Sequence, residues 1–455
     1  MNFSLLLKTI GSVSLALIIL AGSYPANASV GAETAYVFNT FSFLIHGILV
    51  MFMAAGFAML ESGLVRSKNT ATICLKNIAL YSLAGIAFYL VGYNLMYTDV
   101  PKGGFMGAIS LLYNPSADEL TLLDAEDKTA GMVSKVIEAN GYSKPSDWFF
   151  QMVFVATAAS IVSGTVAERI KVWPFLIFVF ILAAVIYPVQ ASWVWGKGWL
   201  DAMGFKDFAG STLVHSTGGW AALTGAIILG ARKGKYSSDG SVNALPGANI
   251  PLATLGTFIL WFGWFGFNGG SQLALGSPLD ALAISIVYVN TNLAAAAGVV
   301  AAMILAQINY GKVDISLALN GAIGGLVAIT AGPDLQNHLL AIVVGGVGGA
   351  LVVVAVPLID KLKVDDVVGA ISAHLVAGIW GTLCVGIFGS GEILTQLIGI
   401  VSIGLFVSIT SGIVWYILDV TIGIRVDEED EVLGLDKVEC GMEAYPEFGT
   451  GSRTL

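Results

Sequence analysis

FAGSTLVHSTGGWAALTGAIILG (residues 208–230) and VVGAISAHLVAGIWGTLCVGIF (residues 367–388) decide how this chain folds. Each run has the roughly 20 residues that a helix needs to cross a bilayer. Neither contains a charged residue, and each carries a single histidine, His215 and His374, out of only four in the chain. An ionisable side chain at membrane depth is costly, so it is expected to face a partner or a path rather than lipid.

The rest of the chain supplies the same setting. Of its 455 residues 56% are hydrophobic and 11% charged, where a soluble domain carries about a quarter charged. Besides the two runs already quoted, apolar stretches occur at 36–60, 72–96, 148–167, 173–193, 250–267, 281–306, 315–330, 338–357 and 393–419. The reading is an all-α polytopic membrane protein with eleven transmembrane helices. The 55 glycines suit helices whose backbones approach closely, and Gly321/Gly325 and Gly345/Gly349 have small-xxx-small spacing. The net charge of −10 argues against nucleic acid as a partner. Cys74, Cys384 and Cys440 form neither a disulfide framework nor a zinc spacing.

Residues 1–28 have Lys8, an apolar run through Leu20 and Ala26-Asn27-Ala28, the pattern of a cleaved signal peptide. An uncleaved extra helix is the plainer alternative. Cleavage puts the mature N-terminus outside, and the basic residues then fall in connections on the cytoplasmic side: Arg66 and Lys68, Arg169 and Lys171, Arg232, Lys233 and Lys235, Lys312, Lys361 and Lys363, and Arg425. The outer segment 97–147, with eight acidic residues against four lysines, is too polar to span and is expected to be partly helical at the surface. The division is thus a signal at 1–28, a transmembrane domain at 29–424 and a cytoplasmic tail at 425–455, in a multi-pass protein of the plasma membrane.

His215 lies in the fifth run and His374 in the tenth. Five helices is an odd number, so the second set starts on the opposite side of the membrane, as in an inverted 5+5 repeat with a C-terminal helix added. A lone histidine in such a helix can simply bond a backbone carbonyl; two at equivalent places point to a paired site. A metal centre needs three or four ligands, and the nearest deep carboxylate, Asp207, is eight residues from His215, roughly 12 Å along a helix. No G-x-S-x-G elbow marks a hydrolase, so no catalytic residue, enzyme activity or cofactor is expected. Asp207 itself reads either as a helix N-cap, worth about 1 kcal/mol, or as a charge beside a cation's path. Aromatic clusters at Trp148 to Phe150, at Trp193, Trp195 and Trp199, and at 261–267 read as an interfacial belt or as a surface for a cation.

The segments DFAGSTLVH (207–215), WFGFNGGS (264–271), AERI (167–170) and DDVVGA (365–370) followed by His374 closely resemble the ammonium transporter (Amt/Mep/Rh) family, as does the tail from GLD (434–436) through Gly441 to Ala444-Tyr445. The resemblance covers nearly all of the chain after the signal and implies a homotrimer with one pore per protomer. It places Trp195, Phe154 and Ser271 at the outer ammonium site, Phe154 and Phe267 at the two gating phenylalanines, His215 and His374 at the pore lining, and Asp207 at the buried acid associated with ammonium binding. It further implies regulation by a PII-type signalling protein at the cytoplasmic face, although Cys440 stands where the family often has histidine.

Elementary physics agrees with that resemblance. Ammonium and potassium cost similar amounts to dehydrate, but only ammonium can lose a proton. A narrow apolar pore therefore passes ammonia and stops both cations. Imidazoles inside it are expected to stay neutral, because desolvation disfavours the charged form. A neutral pair can share a hydrogen bond and still contact ammonia, or hand on a proton. Uptake of methylammonium, the usual analogue, separates this reading from two rivals. One is an ammonium sensor or receptor, for which a tail of about thirty residues leaves no room for a signalling domain; the other is an unrelated proton-coupled transporter.

Overall fold

The computed structural model describes residues 30–447, and the expected signal segment at 1–28 lies outside the described residues. Every one of the apolar stretches forms a helix: α1 (Ala32–Leu64), α2 (Ser67–Tyr97), α3 (Lys144–Thr165), α4 (Val172–Ser192), α5 (Ser211–Leu229), α6 (Ile250–Gly270), α7 (Pro278–Tyr310), α8 (Ile315–Ile329), α9 (His338–Lys361), α10 (Ile371–Ile387) and α11 (Ile393–Ile422). Among the described residues nine helices are long and apolar enough to cross a membrane, α3 as the last part of a run from Ala130, and α8 and α10 are shorter apolar helices. No strand occurs among the described residues. This is an all-α, multi-pass membrane protein.

Local sequence sets several helix starts. The side chains of Asn249, Ser277, Asp314 and Asn337 accept hydrogen bonds from the first-turn N–H groups of α6, α7, α8 and α9, which would otherwise be orphaned. Proline at the first or second helical position of α6 and α7 loses no bond there. The segment between α2 and α3 contains two surface helices, Ala117–Asp124 and Ala130–Asn140, the first closed by a Ser116/Glu119 capping box.

Packing follows the repeat. α1 lies against its counterpart α6, and the starts of α5 and α10 meet. α7, α8 and α9 form a tight group in which the glycine pairs read from the sequence let the backbones touch: a Cβ on Gly345 or Gly349 would collide with the carbonyls of Ala294 or Gly298. α11 shows the opposite character. Leu397, Val401, Leu405, Ile409, Ile413 and Ile417 recur at four-residue spacing and are all exposed, a stripe suited to lipid. After α11, the short helices Glu428–Leu433 and Leu435–Cys440 fold back over the connections, where Asp436 accepts hydrogen bonds from the N–H groups of Ala71 and Thr72.

Candidate functional site

His215 and His374 meet at the centre of the bundle. Each sits on a π-helical first turn, Ser211–Ser216 of α5 and Ile371–Val376 of α10, and each turn follows a glycine in the left-handed region, Gly210 (φ 110°) and Gly369 (φ 80°). A wide π turn displaces the side chain from the regular helical track and is common at functional sites. The result is an Nδ1–Nδ1 separation of 3.3 Å between the two imidazoles, so one ring donates and the other accepts. His215 Nε2 has no hydrogen-bond partner.

Aromatic rings continue the line in both directions. Trp264 lies 4.9 Å and Phe267 5.2 Å from the His215 ring, both nearly parallel to it, and Phe57 stands 6.2 Å from His374. Trp264 is fixed by donating to Thr330 Oγ1 at 2.8 Å. Phe154 and Phe267 stack at 3.9 Å with an interplanar angle of 21°, and both are buried. That pair separates the histidines from a cavity of about 380 Å³ bounded by Phe150, Phe154, Trp195, Phe208 and Ser271. Trp195 meets Phe154 edge-on at 6.0 Å, and Ser271 Oγ donates to the Phe267 carbonyl at 2.8 Å. The residues expected as cage, gate and pore lining therefore fall in one file: Trp195, Phe154 and Ser271, then Phe267, then His215 and His374.

Asp207 stands beside this file. Its Oδ1 accepts from the N–H groups of Gly210 and Ser211 and its Oδ2 from those of Thr212 and Leu213, at 2.8–3.0 Å. Four backbone donors saturate the carboxylate, which anchors the π turn carrying His215. Its backbone carbonyl accepts from Trp195 Nε1 at 3.1 Å, so the same residue fixes the cage tryptophan. The second half repeats the device: Asp366 accepts from the N–H groups of Ala370 and Ile371 at 3.1 and 2.8 Å and precedes His374 by the same eight residues. The matching spacing was visible in the sequence, and Asp366 is the turn-holding residue that reading missed.

A buried ion network closes the opposite end of the bundle. Arg232 grips Asp365 with Nε and Nη2 at 2.8 and 2.9 Å and reaches Glu168 at 3.0 Å, which Arg66 also pairs at 2.6 Å. Burial alone would raise the Asp365 carboxyl, but the hydrogen bonds and charge of Arg232, with Arg169, hold it down at about 2. Glu168 is likewise lowered despite its burial, by Arg232 and Arg66. Beside it Glu431, in the segment after α11, pairs with Arg425 at 2.7 Å and accepts from the N–H of Lys233, the neighbour of Arg232. Several of the basic residues read only as topology markers thus form structure. Among the described residues no cluster of histidine, cysteine and acidic side chains suits a metal.

A sequence model of the Ammonium Transporter Family matches residues 41–445. The chain is 39% identical over 468 residues to ammonium transporter Amt2 of Archaeoglobus fulgidus, covering 96% of this chain and 94% of that one. It is 37% identical to ammonium transporter Amt2 of Haloferax mediterranei over 428 residues, 88% of each chain. Among solved structures it resembles a protein titled Sensor Amt Protein, with a TM-score of 0.80 and 36% identity over 89% of this chain and 98% of that one, and Candida albicans Mep2, with a TM-score of 0.74 and 26% identity over 88% and 89%. The chain belongs to the ammonium transporter family.

Proposed function

We propose that this protein binds ammonium at the cage of Trp195, Phe154 and Ser271, that ammonium gives up its proton at the Phe154–Phe267 gate, to water in the outer cavity or to the unpartnered Nε2 of His215, and that ammonia is conducted along His215 and His374. The single file of cage, stacked gate and joined histidines carries this reading. Aromatic faces attract a cation that has shed part of its water. Between the stacked phenylalanines and His374 no charge waits to receive an ion, so a cation there would be stripped of water without replacement. Ammonia enters at far lower cost and finds donors and acceptors on the two imidazoles. Asp207 acts by holding the His215 turn and Trp195 in place.

The histidine contact also supports proton movement. When His215 Nε2 takes up a proton, its Nδ1–H can pass to His374 Nδ1 and His374 can release the proton on its Nε2, so that the proton follows the ammonia and transport carries net charge. Purified protein in liposomes tests both parts. Uptake of labelled methylammonium above empty liposomes is expected, together with an ammonium-evoked current; uptake without current refutes the proton path, and no uptake refutes transport.

Eleven spanning helices, with the mature N-terminus outside after signal removal and the tail in the cytoplasm, accord with the distribution of basic residues, and a homotrimer in the plasma membrane is what membership of the family implies. The folded-back tail offers a surface for a PII-type protein. A sensing role is the second reading, favoured by the likeness to a protein titled as a sensor.

A further inference from the structure

Beyond His374, on the side away from the cage, lies a small cavity bounded by Phe57, Glu61, Ser160, Asn320, Val368 and His374. Its roughly 10 Å³ of room for the centre of a water-sized molecule is near the minimum that admits one. Glu61 is buried at 1% exposure, and its two oxygens differ. Oε2 accepts from Ser163 Oγ at 2.8 Å, whereas Oε1 is buried without a well-formed hydrogen bond, although the Asn77 side chain also lies against this carboxylate. A buried carboxylate oxygen left open is costly and calls for a donor. The opposite charge is close at hand: Lys76, also 1% exposed, donates from Nζ to the Ser163 carbonyl at 2.9 Å, so Ser163 joins acid and base.

We propose that Glu61 Oε1 is a second binding site for ammonium or ammonia, at the inner end of the path. The inference rests on the transport reading above and extends it. A molecule leaving His374 brings N–H donors that Oε1 can accept, and it is small enough for the cavity. Lys76 balances the charge of the empty site, which keeps Glu61 from capturing a cation too tightly to release it. Asn320 and Val368 also border the next cavity outward, where Asp366 and Ser372 lie, which gives the released molecule an exit.

The test uses wild type, Glu61→Gln and the double variant Glu61→Gln with Lys76→Met, each in liposomes with labelled methylammonium. Glutamine alone leaves Lys76 without its counter-charge and can fail by misfolding; the double variant removes both charges together. Both variants are expected to lose at least about tenfold in uptake, the fold-change that one hydrogen bond to a charged group is worth. A double variant with the wild-type melting midpoint and wild-type uptake overturns the site, because Glu61 is then only the partner of Lys76. Absence of uptake by the wild type overturns the transport reading itself, and the inner site with it.

Discussion

Replacing Asp207 with asparagine keeps the shape of the side chain and removes half of its accepting capacity. The carboxylate receives four N–H groups, two on each oxygen. Asparagine offers one oxygen, so two of those buried donors face an NH₂ group instead. A buried donor deprived of its partner costs about 1–3 kcal/mol, which sums to roughly 2–6 kcal/mol here. The loss falls on the turn that presents His215 and on the loop whose carbonyl holds Trp195, so cage and pore loosen together. Thermal unfolding of the purified protein and methylammonium uptake in liposomes are the two assays. Asp207→Asn is expected to lower the melting midpoint and abolish most uptake in parallel. A variant that loses uptake while keeping the wild-type midpoint would refute this reasoning, because the carboxylate would then act on the substrate itself.

Asp366→Asn removes an acceptor from one of two N–H groups, so a smaller destabilisation of about 1–3 kcal/mol is expected in the same melting assay. Phe267→Ala deletes a ring stacked on both Phe154 and His215 and joins the cage to the pore; a potassium-evoked current absent from the wild type is expected in liposome recordings. Asp365 titrates at about 2 in the folded chain against an ordinary 3.8, so its contribution is complete above pH 4 and is lost as the pH falls toward 2. That shift amounts to about 2 kcal/mol, read as a drop in melting midpoint across this window that Asp365→Asn flattens. Asp436→Ala frees two N–H groups at the start of α2, and faster proteolysis of the segment after α11 is the expected signature.

The helices, and the residues that now lie together at the candidate site, were legible because hydropathy and motif are local properties. Each apolar stretch became a helix, and the two histidines at five-helix spacing did meet. What eluded the sequence was partnership. Asp207 left two roles open, cap or path charge, and only the tertiary structure shows its four backbone donors, which support the first. Glu61 and Lys76 sat unremarked inside or near apolar stretches, because a buried acid and base fifteen residues apart form no local motif and meet only through Ser163 on a third helix. Arg232 read as a loop charge and proved to be the centre of a buried network with Glu168 and Asp365.

The sequence by itself determined a helical membrane protein and its family, and it named the residues proposed as cage, gate and pore. Period and composition dictate burial in lipid, and long motifs survive without reference to distance. The tertiary structure alone decided that Phe154 lies flat on Phe267, that the histidines touch through Nδ1, and that Glu61 shares a buried cavity with His374. Those are relations between helices far apart in the chain, and they are fixed by how glycine contacts, π turns and buried charges let the bundle close.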